Sequence, residues 1–405
     1  MSGGARSVAF RESFPLLAMF ASGVVAVVAC GSDLSVIGRN VTGADGGLSP
    51  NELDAGAIDG AGGGDGGGDG GGGDPGVHGD DVDAGVVLQG GCAPASFATV
   101  IDAKSEGAVG DGVTDDTVAI QNAITKVVGT GGAVTIPDGT YLVAPPSQGG
   151  QALTIASGMT LKLSSGAVLK AKPGGPESAA LIAIRGPNVN VVGGTIAGDR
   201  ASHTGTGDVG VGISIIGSAN VSLDGVTIEG FWSDGVAIRG ASNITLCGVL
   251  AQHNRRRGVG IESVEGFTAT NSSFSNTYGA APAAGLSIEA VAGDTVHNVS
   301  VRGSGAAGNS GGGIVISTIP DPTSKAFEMT FSDARVVANQ GNGFTLVGAT
   351  AVKILASQIR DNRGDGIAFD DRATSNLANG NTITGNGGVP IRDPSGANET
   401  SNNSF

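Results

Sequence analysis

Beyond residue 150 the chain alternates short apolar runs with turns rich in Gly, Asn and Ser. The runs superpose on one another at a spacing of about 23 residues. Gly217–Leu223 (GSANVSL) lies over Gly240–Leu246 (GASNITL), and Gly235-Val-Ala-Ile238 lies over Gly258-Val-Gly-Ile261 at the same offset. Later turns drift: GLSIEA begins at 285, GGIVIS at 312, NGFTLV at 342 and DGIAFD at 365. The pattern predicts an all-β solenoid of roughly nine or ten coils, degraded at its ends as capping repeats are. In such a parallel β-helix each coil pairs with its neighbours at about 4.8 Å and alternate side chains stack inward. Val236, Ile238, Val259, Ile261, Leu286 and Ile288 are expected in the core. Asn220 and Asn243 recur at one turn position and predict an Asn stack, because Asn tolerates unusual φ and bonds its neighbours.

Ahead of the repeat, Gly107–Ile124 reads GAVGDGVTDDTVAIQNAI and is followed by AVTIPDGTYLV at 133–143. Gly110 and Gly112 permit turn conformations, Thr114, Asp115 and Asp116 offer N-cap oxygens, and Val118, Ile120, Ala123 and Ile124 recur at helical spacing. The segment therefore reads as a short helical lid, with Asp111, Asp115 and Asp116 in structural roles. It resembles the corresponding segment of pectate-lyase-like proteins of the rhamnogalacturonase and epimerase-like branch. That resemblance implies a right-handed parallel β-helix, an extracytoplasmic location and a carbohydrate ligand. Residues from about 97 to 320 are also similar to a recurring group of bacterial right-handed β-helix proteins.

The termini and composition narrow the setting. Arg6 and Arg11 precede an apolar run from Leu16 to Ala29, too short for the ~20 residues that span a bilayer, so residues 1–30 read as an export signal. The run ends Val27-Val28-Ala29-Cys30-Gly31 and resembles a bacterial lipoprotein signal, which implies lipidation of Cys30 and a membrane contact through that anchor. Residues 31–91 form a Gly- and Asp-rich linker expected to be disordered. Its stretch from Val41 to Gly91 holds nine Asp, one Glu and no Lys or Arg, so it cannot bury a core. Residues 92–405 are the β-helix domain. Most of the net charge of −15 belongs to the linker, and no nucleic-acid partner is implied. Of three cysteines, Cys92 and Cys247 remain once Cys30 is assigned. Oxidation of that pair is one outcome in an exported protein, but Cys247 in the strand NITLCGVL is expected to be a small buried apolar group.

Period alignment shows which polar side chains share a face. The outward residues Ala237, Gly260 and Ser287 make a small-residue floor, with Arg239, Glu262 and Glu289 two residues on. Glu262 and Glu289 on adjacent coils would repel, raising one pKa unless Arg239 offsets it. Two carboxylates about 5 Å apart suit a retaining glycosidase, whereas a solvated Arg–Glu ladder is the plainer expectation. In the preceding turn Arg200, Trp232, Arg255 and Tyr278 fall in register, with Asp199, His203, Asp208, Asp234, His253, Arg256 and Arg257 close by. Trp232 either stacks on a sugar or covers the end of a coil. Three adjacent guanidinium groups need anions, supplied either by acidic neighbours or by an acidic ligand such as a uronic-acid polymer.

In β-elimination a cation pairs with the substrate carboxylate, and a base removes the proton at the neighbouring carbon. His253, Tyr278, Glu262, Glu289 and Arg256 are the catalytic candidates, and Arg200, Trp232, Asp234, Arg239, Arg255 and Arg257 the substrate-binding ones. The pectate-lyase-like resemblance implies calcium as a cofactor, for which Asp199, Asp208 and Asp234 could supply oxygens. Asp370-Asp371 reads as solvated or turn-forming. Ser233-Asp234-Gly235 is similar to the first Asp motif of polygalacturonase-like hydrolases, but the next coil carries Arg256-Arg257 where an Asp pair belongs. DGVAIR at 234–239 likewise departs from the Tyr-Gly-Phe-Asp-Pro-His motif of mannuronan epimerases. Two readings result: an enzyme cleaving or modifying an acidic polysaccharide, and a noncatalytic surface protein that binds polysaccharide or acts as an adhesin.

Overall fold

A computed structural model describes residues 26–30, 33–37, 97–147, 149–173, 179–203, 210–291, 293–318, 321 and 323–405. Most of the predicted linker and of the predicted signal, together with Cys92 and Asp208, lie outside them. Ala26–Cys30 and Asp33–Ile37 pair antiparallel. All other pairings are parallel, and among the described residues they build one sheet of 20 strands and one of 11. The architecture is the expected right-handed parallel β-helix, with the helix Thr117–Val127 (α1) at its N-terminal end.

Four strands position the polar face: Val211–Ile216 (β1), Asp234–Cys247 (β2), Arg257–Thr270 (β3) and Ala284–Glu289 (β4). Val236 pairs with Val259 and Val259 with Leu286 on successive coils, and all six expected core residues are fully buried. They belong to one apolar column that runs from the lid to Ile383. Each coil buries only a few side chains, so stability accumulates through stacking rather than within any single coil.

The Asn stack forms as expected. Asn243 donates to Asn220 at 3.1 Å and Asn220 to Asn188 at 3.0 Å, all three at φ between 54° and 60°. A second, buried ladder, Asn309–Asn339–Asn362–Asn386, satisfies turn amides deep in the C-terminal coils. Its members sit in ordinary turn sequences, so their burial was not visible without the coil register.

Several local expectations are corrected. Ile120, Ala123 and Ile124 of α1 bury against the core, but Val118 is 72% exposed, because the lid packs only the stripe that faces the first coil. Asp116 precedes α1 without capping it. Its carboxylate instead accepts from Val109 N and Gly110 N, closing the loop before the helix. Cys247 is disulfide-bonded rather than a free apolar thiol. Asp370, by contrast, is turn-forming as expected, accepting from Gly348 N at 2.9 Å and Ala373 N at 2.8 Å.

Candidate functional site

Strand register decides which outward side chains meet. Ser214, Ala237, Gly260 and Ser287 form one row across β1 to β4, the expected small-residue floor. Asp234 pairs with Arg257 at the start of the strands, and Arg239 pairs with Glu262 further along. A Cβ on Gly260 would stand 2.8 Å from Arg257 Nη1 and 2.9 Å from Arg257 Cδ, so the Arg257 side chain lies flat across the floor at that glycine.

Arg257 organises the charges from there. Its Nη2 donates to Glu289 Oε2 at 2.6 Å, and its Nη1 donates to Glu262 Oε1 at 3.2 Å and stands 3.6 Å from Asp234 Oδ2. Arg256 Nη1 reaches the same Asp234 oxygen at 3.4 Å, Arg239 Nε lies 4.0 Å from Glu262 Oε2, and Ser287 Oγ donates to Glu289 Oε1 at 2.7 Å. Three arginines thus face three carboxylates.

Arg257 is 2% exposed and Asp234 and Glu262 are buried with it, so the solvated Arg–Glu ladder is not what forms. Burial works against charge on Arg257, but Glu289, Asp234 and Glu262 outweigh it and raise the guanidinium pKa. Burial likewise opposes ionisation of Glu289. The charges of Arg257 and Arg256, with hydrogen bonds from Ser287 and Arg257, outweigh it and hold that carboxyl below the usual carboxylate range.

Two expectations change as a result. The ion that separates Glu262 from Glu289 is chiefly Arg257 rather than Arg239, and Arg257, enclosed by its carboxylates, positions groups instead of meeting a ligand directly. Arg239, Arg256 and Glu289 keep part of their side chains at the surface, 30%, 21% and 22% respectively, and form the accessible rim. Inside that rim Arg256 Nε, Arg257 Nε and Glu262 Oε2 are buried without a hydrogen-bond partner. Orphaned buried polar atoms are costly and concentrate where a structure does work other than packing.

The second group occupies the adjoining turns, in the predicted register: Arg255 N bonds Phe231 O and Tyr278 N bonds Asn254 O. The Arg200 guanidinium lies 3.5 Å over the Tyr278 ring, and its Nη1 donates to His253 O at 3.0 Å. Arg255 lies 4.3 Å from the Trp232 ring centroid, and His203 stacks on that ring at 4.4 Å and 21°. The single tryptophan is therefore already stacked by its own chain, which favours its coil-covering role over a bare sugar platform. His253 adopts φ 55°, the left-handed region, at this bend.

From the sequence His203 is only a neighbour of the cluster and Asp199 a candidate calcium donor, yet the two form a dyad. Asp199 Oδ2 lies 3.2 Å from His203 Nδ1, an orientation that fixes the imidazole. The pair borders a recess lined also by Val143, Leu181, Val211 and Phe231. A His four residues after an Asp is a weak sequence signal, and only the short helical turn Arg200–Ser202 brings the two together.

Calcium does not fit the described donors. Asp234 is held by Arg256 and Arg257 and Asp199 by His203, and among the described residues no group of three His, Cys, Asp or Glu is arranged to hold a metal ion.

Two family models match the sequence: right-handed β-helix region over residues 211–405, and rhamnogalacturonase A/epimerase, pectate lyase-like, over residues 100–182. No curated protein matches it significantly. Among solved structures, the A-module of Azotobacter vinelandii mannuronan C-5 epimerase AlgE6 superposes with a TM-score of 0.58 at 20% identity, covering 75% of this chain and 98% of that one. The AlgE4 A-module from the same organism gives 0.57 at 19%, covering 75% and 95%. The Dettilon tailspike protein gives 0.53 at 15%, covering 75% and 68%. At these identities the likeness is one of fold.

Proposed function

We propose that this protein is an exported, carbohydrate-active β-helix that cleaves or modifies an acidic, uronic-acid-containing polysaccharide, held at the cell surface through lipidated Cys30. One observation carries the reading. Arg239, Arg256 and Arg257 gather on one face against Asp234, Glu262 and Glu289, and Arg200 and Arg255 occupy the adjoining turns with Asp199. Arg239 and Arg256 keep 30% and 21% of their side chains exposed, which leaves guanidinium surface for a carboxylate to approach. The pectate-lyase-like match and the epimerase and tailspike likenesses support a polysaccharide as the ligand.

Elimination suits the charges better than acid-assisted hydrolysis. A glycosidase needs one carboxyl protonated, and Glu289 is held ionised by Arg257 and Arg256. In elimination, Arg256 and Arg239 pair with the uronate carboxylate and acidify the adjacent C–H. A base, with His253, Tyr278 and His203 as the candidates, takes that proton as the glycosidic C–O bond breaks. A second reading, noncatalytic polysaccharide binding, is favoured by the extent to which Arg257 and Trp232 are already satisfied within the protein.

The test incubates the purified full chain with uronic and neutral polysaccharides, following unsaturated products by ultraviolet absorbance and new reducing ends in parallel. Unsaturated ends establish a lyase, and reducing ends alone a hydrolase. Retention on a uronate polymer with no product selects the binding reading, and neither product nor retention on any glycan overturns both.

A further inference from the structure

The floor of the candidate site continues past the charge cluster. Gly260 pairs with Ser287, Ser287 with Val315, Val315 with Thr345, Thr345 with Ala368, and Ala368 with Arg392. One outward row therefore runs from the glycine beneath Arg257 to an arginine five coils away, about 24 Å along the axis at about 4.8 Å per coil. The neighbouring row, which holds Asp234 and Arg257, passes through Ala284, Gly312 and Asn342 to Asp365, carried forward by the bonds Gly285 N–Gly312 O, Gly313 N–Asn342 O and Gly343 N–Asp365 O. An acid of this row thus meets a guanidinium over the floor at both ends. At the far one, Arg392 Nε donates to Asp365 Oδ2 at 2.5 Å and Arg392 Nη2 to Asp365 Oδ1 at 3.3 Å.

Asp365 occupies only one side of that guanidinium. The Asp365 side chain is 8% exposed and that of Arg392 42%, and among the described residues Arg392 Nη1 makes no hydrogen bond. Arg363 stands on the turn ridge that continues from Trp232, Arg255 and Tyr278. It is exposed, and its side chain enters no ion pair or hydrogen bond among the described residues. Between the two ends the rows carry no charged side chain, and Asp370 on the flank is paired with Arg372. Ser287, Val315 and Ala368 point outward yet are 0%, 8% and 4% exposed, so the floor is sunk between its flanks. A Cβ on Gly312 would stand 3.0 Å from Val315 Cγ2, so the glycine keeps this trough open. At the near end, Glu262 Oε2 and Arg257 Nε are buried with no partner of the protein's own.

We infer that Arg392, with Arg363 beside it, forms a second carboxylate-binding subsite, so that an acidic polymer is held at two points about 24 Å apart, the Arg239–Arg256 rim and Arg392, with its chain along the trough between them. This rests on reading the rim as a uronate site. Once one carboxylate is bound, binding of the second is intramolecular, so affinity climbs steeply when the ligand becomes long enough to reach both points. The protein then selects long chains that carry carboxylates along their length over short uronate oligomers. The C-terminal coils, expected only to cap the solenoid, take part in recognition.

The test titrates the full chain by calorimetry with galacturonate and mannuronate oligomers of increasing length. The wild-type affinity is expected to step upward with length. Arg392→Ala should remove the step, weakening long oligomers roughly tenfold or more and leaving short ones unchanged. Because that variant strips buried Asp365 of its cation, Gly312→Asp serves as a second probe: it keeps the Asp365–Arg392 pair, places a carboxylate in the trough and should produce the same selective loss. Wild-type affinity independent of length overturns the second subsite and leaves the rim reading in place. So does either variant binding long oligomers as tightly as wild type, or a loss that falls equally on short and long oligomers. No binding of any uronate by the wild type overturns both.

Discussion

Arg257 lies across Gly260, occupying the space that any side chain at Gly260 would take. The glycine, three residues further along β3, is what allows a fully charged guanidinium to lie flat on a β-sheet and be reached by carboxylates from three coils. A β-helix makes this possible because residues far apart in sequence stack at one coil spacing. Asp234, Glu262 and Glu289 come together through register alone.

Gly260→Ala is expected to displace Arg257 and to destabilise the protein by about 1–3 kcal/mol, the usual cost of overpacking. Chemical denaturation measures it. A stability equal to wild type would show that the guanidinium moves aside freely.

Arg257→Ala leaves Asp234, Glu262 and Glu289 without their common cation. Removing one partner of a buried pair costs about 3–5 kcal/mol, so this variant is expected to lose far more stability than Arg239→Ala at the rim. Comparable losses in the two variants would place the network's centre elsewhere.

Glu289 sets a direction in pH. Its folded pKa lies below the ordinary value of 4.5, so its contribution to stability is complete above that value and is lost as pH falls through the lower, folded pKa. A melting-temperature profile between pH 7 and pH 3 should fall on the acid side. Glu289→Gln should flatten part of that fall; an unchanged slope would assign the acid sensitivity to other carboxylates.

Arg256→Ala and Arg239→Ala test the rim. If the exposed guanidinium edges receive a uronate carboxylate, each should weaken retention on a uronate polymer by about ten- to a hundredfold, in line with about 1.5–3 kcal/mol for a charge-assisted hydrogen bond. Binding of neutral glycans should be unaffected. Equal loss toward both polymer classes would instead indicate a folding defect, which circular dichroism reports.

Asn362 is a test of the solenoid away from the site. It accepts from Asn339 N and Nδ2, and it donates to Val336 O. Asn362→Ala leaves buried backbone groups unsatisfied and should cost about 1–3 kcal/mol, read as a lowered unfolding midpoint with the Arg257 face intact.

The apolar spacing and recurrent Gly and Asn residues determined the architecture: the solenoid, the inward Val236, Val259 and Leu286, the Asn220–Asn243 stack and the small-residue floor were all legible, because a period of about 23 residues maps linear position onto coil position. The same alignment brought Arg239, Glu262 and Glu289 to one face and Trp232, Arg255 and Tyr278 to one turn. Burial was decided only in three dimensions. Sequence shows that Arg257 is near acids, but not that Gly260 lets it lie down, which converts an expected solvated ladder into a closed network. The sequence pattern likewise placed Val118 on the lid's apolar stripe, and left Cys247 a buried thiol and His203 a bystander. Lid orientation, the oxidation of Cys247 and the Asp199–His203 contact depend on how turns of unequal length pack, and the hydrophobic period carries no information about that. Periodicity specifies what stacks upon what, whereas exposure and pairing of the outward charges depend on side-chain paths across neighbouring coils.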